Sequence, residues 1–130
     1  MLIDINKELI NACEQGSFDK VKQLLEQGAD VKAVDQYGDT PLMNACYNDF
    51  IEIVQLLLQH NSNVNAINND GETALMYACY DDFDDIVALL LDNGADMNIV
   101  DKSGRTFLML IRPHEAIETA KLLKSRGIKN

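Results

Sequence analysis

An all-α solenoid of stacked helix-turn-helix units, joined by short β-hairpin-like turns, is the fold this sequence predicts, and three observations predict it. Shifting the chain by 33 residues aligns Gly38, Gly71 and Gly104, then Thr40, Thr73 and Thr106, then Leu42, Leu75 and Leu108, and Met43, Met76 and Met109. Residues 35–67 and 68–100 are identical at fifteen of 33 positions, and a fixed period of this length marks supersecondary units stacked in tandem. Each unit also repeats one order of signals: a glycine turn, a short apolar helix and a longer aliphatic helix. One domain over residues 1–130 follows, with repeats at about 4–33, 35–67, 68–100 and 101–130.

The turn comes first in each unit. Polar stretches such as "NNDGE" suit a tight reversal, because glycine tolerates backbone angles closed to other residues. Thr40 is placed to cap the first helix, with Pro41 at the first helical position, where a missing N–H costs little. Leu42, Ala45 and Cys46 mark that helix's apolar face. The second helix, "IEIVQLLL" or "DIVALLL", carries aliphatics at i, i+3 and i+4 and closes at Asn61 or Gly94, residues suited to a left-handed C-terminal position.

"YGDTPLMNA", "DGETALMYA" and "SGRTFLML", followed by "IVQLLL", "NGADMN" and "QGADV", resemble the turn, first helix, second helix and closing turn of ankyrin repeats. The resemblance covers essentially the whole chain, with a first repeat that lacks its hairpin. It has departures. Met43, Met76 and Met109 stand where the family usually has histidine, so the local hydrogen bonds of that imidazole are expected to be lost to an apolar filler. Asp49 and Asp82 replace the glycine between the helices, and Asn61 replaces a closing glycine, as residues that visit left-handed angles. Pro113 and His114 at the last interhelical turn, with Lys121 and Lys124 on the last helix, fit an end cap whose outer face meets water.

Composition narrows the function. With 47% hydrophobic and 25% charged residues the chain reads as a soluble globular protein. No apolar run reaches the ~18 residues a membrane span needs, and "MLIDINKELI" offers no signal-peptide core, so a cytoplasmic location is expected. The net charge of −10 is unevenly spread. From Ala33 to Val100 there are twelve acids and no Lys or Arg, whereas from Asp101 onward seven bases oppose three acids. Nucleic acid would be repelled by such a centre, and a basic protein surface would be steered toward it.

Catalysis and cofactors find little footing. Cys13, Cys46 and Cys79 lie one repeat apart, where stacked helices ~8 to 10 Å apart exceed the disulfide limit, and are expected as reduced core thiols. His60 and His114 cannot assemble a metal site, and "HEAIE" supplies one of the two histidines a zincin requires. "AINNDGETALMY" imitates a calcium loop but has Ala66 and Tyr77 at the first and last ligand positions. No cofactor, metal or enzymatic activity is expected.

The expected role is protein binding. The resemblance implies a groove formed by hairpin tips and first-helix inner surfaces, matching Gln36, Tyr37, Asp39, Tyr47 and Asn48, then Asn69, Asp70, Glu72, Tyr80 and Asp81, then Lys102, Ser103 and Arg105. Tyr47 and Tyr80, one repeat apart, either project together as contact residues for Arg or Lys, or pack beneath the hairpins. Asp81, Asp82, Asp84 and Asp85 crowd into five residues. Asp84 and Asp85 fit the opening turn of a helix, where each carboxylate gains ~0.3 to 1 kcal/mol, but Asp81 has no such local task. Phe50 and Phe83 are assigned to packing between helices. The expected partner is a protein with a basic surface, bound by a monomer. Two alternatives stand beside this reading: an immunity-type inhibitor of a basic toxin or nuclease, and an oligomeric scaffold in which the acidic middle of one copy meets the basic end of another.

Overall fold

The computed structural model describes residues 3–79, 84–111 and 116–127. These form eight helices: α1 (Ile5–Gln15), α2 (Phe18–Glu26), α3 (Pro41–Tyr47), α4 (Ile51–Gln59), α5 (Ala74–Ala78), α6 (Asp84–Asp92), α7 (Phe107–Leu110) and α8 (Ala116–Ser125). The first helices stack in chain order, α1 on α3, α3 on α5 and α5 on α7, while α2, α4 and α6 form a second layer behind them. Small side chains permit the stacking. Ala12, Ala45 and Ala78, one repeat apart, are buried, and beside them lie Cys13, Cys46 and Cys79. The thiols are free, and burial pushes those of Cys13 and Cys79 up to about 12 and that of Cys46 higher still. Leu9, Val21, Leu42, Leu57, Leu75, Ile86, Leu90 and Leu123 complete a continuous core between the layers.

Local chemistry sets the boundaries. Asp4 caps α1 by accepting the N–H groups of Asn6 and Lys7, each at 3.1 Å. Thr40 and Thr73 accept the N–H groups of Met43 and Met76 at 3.1 and 3.3 Å. Behind the helices, Asn61 (φ +66°) occupies the left-handed position that Gly28, Gly94 and Gly127 hold in the other units. Asp49, at φ +62°, turns the chain between α3 and α4. Asp82, Phe83, Pro113 and His114 lie outside the described residues. Phe50 packs against the preceding repeat, since a Cβ added at Gly16 would sit 2.6 Å from its ring.

Two expectations about the methionines change. The imidazole's hydrogen bonding is partly kept, because the Thr40 N–H donates to Met43 Sδ at 3.5 Å and closes a reciprocal cap. Met43 and Met76 are buried, but Met109 is 67% exposed. Helix α7 is a single turn, and Ile111 leaves it in extended conformation, so the helix ends one residue after Met109.

Each hairpin-like turn is closed by backbone bonds without a strand among the described residues. Asp35 N–H donates to the Asp39 carbonyl, Asn68 to Glu72 and Asp101 to Arg105, at 2.9 to 3.0 Å. Successive turns are joined by one backbone bond each: Asn69 N–H to the Tyr37 carbonyl at 3.0 Å, and Lys102 N–H to the Asp70 carbonyl at 2.9 Å. These links hold the tips in line along one side of the helix stack.

Candidate functional site

Below the tips, between the turns and the first-helix layer, runs an open groove of about 1030 Å³. Its described walls carry five carboxylates, Asp4, Glu14, Asp35, Asp39 and Glu72, against one ammonium, Lys7. Three phenols face it as well, from Tyr37, Tyr47 and Tyr77. Tyr37 and Tyr47 are 61% and 54% exposed, well above what a packing residue beneath a hairpin would show. Tyr47 meets Tyr77 edge-to-face, with ring centroids 5.8 Å apart and planes at 65°, an arrangement favoured by the aromatic quadrupole.

One polar network fixes the middle of the groove. Asp35, Asn68 and Asp101 organise their turns identically, each Oδ1 accepting the N–H groups two and four residues ahead. Because Asn68 Oδ1 accepts both bonds, its Nδ2 must face the other way, toward the carboxylates. It lies 2.8 Å from Asp39 Oδ1, 3.2 Å from Glu72 Oε1 and 2.9 Å from the Tyr77 hydroxyl. Tyr77 in turn donates to Asp39 Oδ1 at 2.8 Å. Burial, followed by the hydrogen bond to Asp39 and the negative charge of Asp39 and Glu72, pushes the Tyr77 phenol up, so it remains a protonated donor. The two carboxylates are therefore held in place at the groove by neutral donors, Asn68 and Tyr77 for Asp39 and Asn68 for Glu72.

Of the residues singled out from the sequence, Tyr37, Asp39, Tyr47, Asn48 and Glu72 line this groove. Asn48 also donates to the Asn44 carbonyl at 2.9 Å, which secures the end of α3. Asp70 is exposed at the next turn and lies outside the lining. Arg105 sits on the last turn, paired with Asp101 at 3.0 Å. The Asp101 carboxyl is held below the usual range, chiefly by the Arg105 backbone N–H and then by the Arg105 side chain. Tyr80 and Asp81 lie outside the described residues. On α5 the phenol beside Tyr47 is Tyr77, a residue not singled out from the sequence. Asn44 and Tyr77 are repeat equivalents one turn before Tyr47 and Tyr80, so helical spacing could have placed them on the same face. The contributions of Asp4 and Glu14, from the repeat without a hairpin, carry no such signal.

The stacked helix pairs, the Thr caps and the aligned turns reproduce a known repeat geometry, and the family model for ankyrin repeats (3 copies) matches residues 9–101. The chain belongs to the ankyrin-repeat family. It is also similar to an ankyrin repeat protein of Acanthamoeba polyphaga mimivirus, with 46% identity over 37 residues, and that match spans 28% of each chain. Ankyrin repeats are in general a non-catalytic, protein-binding fold. Among the described residues of this ankyrin-repeat chain no three His, Cys, Asp or Glu side chains stand close enough to hold a metal ion. No helix there is long and apolar enough to cross a membrane.

Proposed function

We propose that this ankyrin-repeat chain binds a cationic segment of a partner protein in the groove between its turns and first helices. One observation carries the reading: five carboxylates and three phenols line a single groove whose described walls hold one lysine. A guanidinium or ammonium entering it gains Coulomb attraction and a contact with an aromatic face, worth ~0.5 to 2 kcal/mol for the cation–π part. Nucleic acid is disfavoured by the same field. The chain acts as a monomeric, non-catalytic binder, and its three reduced, buried thiols accord with a cytoplasmic setting.

An arginine-rich peptide titrated against the parent and Tyr47→Ala tests this. The variant is expected to lose more than ~1 kcal/mol of affinity, with the helical signal unchanged. Equal affinity of parent and variant would remove the groove from the account.

A further inference from the structure

The residue preceding each turn-organising Asp35, Asn68 and Asp101 is β-branched and apolar, namely Val34, Ile67 and Val100. All three are solvent-facing, at 55, 57 and 53% exposure. Isolated surface aliphatics need no explanation, but these recur in register on turns that are bonded to one another. Neighbouring slots change character from turn to turn, as with Asp39, Glu72 and Arg105, while this one stays aliphatic. Val34 lines the acidic groove, and with Ile67, Val31 and Ala66 it also lines a second hollow of about 470 Å³. Val34 thus forms a wall common to the charged groove and the hollow, Ile67 borders the hollow, and Val100 sits one turn further along the same row.

We infer that the partner segment is amphipathic as well as cationic: its basic side chains enter the groove, and its apolar side chains lie along Val34, Ile67 and Val100, one of them filling the hollow between the first two. This rests on the groove reading above. Charge complementarity selects the occupant, since the carboxylates beside Val34 disfavour an acidic or purely apolar segment. Stacked repeats place successive rungs about 8 to 10 Å apart. Every third residue of a polyproline-type segment (about 9.3 Å) falls within that interval, and every seventh residue of a helix (about 10.5 Å) lies just above it.

The test is selection of a phage-displayed random 20-residue peptide library on the immobilised full chain, with affinities of selected peptides then measured on the parent and on a Val34→Thr, Ile67→Thr, Val100→Thr triple variant. Threonine keeps the β-branch that suits the extended backbone and removes the apolar contact. The expected result is enrichment of basic peptides with apolar residues at one of those intervals, and an affinity loss of about tenfold or more in the triple variant. Ile67→Thr alone serves if the triple variant fails to fold, with a loss of at least about threefold expected. Basic peptides without that spacing, or affinities that ignore the threonines, would overturn the apolar rungs and leave the groove standing. Selection without basic residues would overturn both.

Discussion

Position 68 shows how one side chain can organise a binding surface. Its neighbours in register, Asp35 and Asp101, have acceptors alone, whereas Asn68 adds the N–H donors that reach Asp39, Glu72 and Tyr77. Asn68→Asp would preserve the turn but place a third carboxylate among two others, and should cost about 1 to 3 kcal/mol in urea unfolding at neutral pH. Tyr77 titrates late because its folded value is raised, so its contribution to stability is complete below the unfolded value of about 10 and is lost as pH rises beyond it. A spectrophotometric titration should show a delayed phenol that Tyr77→Phe abolishes. Asp101 runs the opposite way: its folded value is depressed, so its contribution is present above about 3.9 and lost as pH falls through the folded value. Asp101→Asn keeps the turn's acceptor and should flatten the fall in stability below about pH 4, as followed by denaturant titration. Tyr37, Asp39, Tyr47, Asn48 and Glu72 were legible because tip and helix positions follow from the repeat. Tyr77 and Asn68 were not, because their role depends on bonds across two repeats, which a single repeat's pattern does not contain.

Helix and turn boundaries were largely written in local chemistry. Thr40 and Thr73 cap where a hydroxyl precedes an apolar run, and Asn61 ends α4 where the neighbouring unit has Gly94. The brevity of α7 had no such marker, since "TFLML" reads as well as "TALMY", and the exposure of Met109 came with it. Asp85 lies in the first turn of α6 (Asp84–Asp92), where a helix N-terminus favours a carboxylate. Two substitutions test the interhelical turns. Asp49→Gly relieves a left-handed aspartate and should raise stability, by up to about 1 kcal/mol in thermal or urea unfolding. Gly16→Ala should lower it by more than about 1 kcal/mol, because the new Cβ meets Phe50 as well as an unfavourable φ of +80°. Stabilisation by Gly16→Ala would mean that Phe50 does not pack there.

For the molecule as a whole, the 33-residue period fixed the stacked architecture because each unit exposes an apolar face that only its neighbours can cover. The charge asymmetry was equally plain along the chain, and part of it is spent internally: Arg126 forms a two-pronged pair with Asp92 at 2.6 and 3.2 Å, joining the last helix to α6. What linear charge could not reveal is where the acids converge. The groove draws Asp4 and Glu14 from the first unit and Glu72 from the third, so its field is a product of stacking. Association with a cationic peptide should therefore slow steeply as salt rises, since the steering charges are spread along an open groove and screened over about 10 Å at 0.1 M. The most direct measurement is mapping of backbone amide chemical shifts as an arginine-rich peptide is added to the chain. The account predicts the largest changes at Tyr37, Asp39, Tyr47, Asn48 and Glu72, with the outer helices α2 and α4 quiet. Changes centred on α2 and α4 instead, or none at saturating peptide, would contradict it.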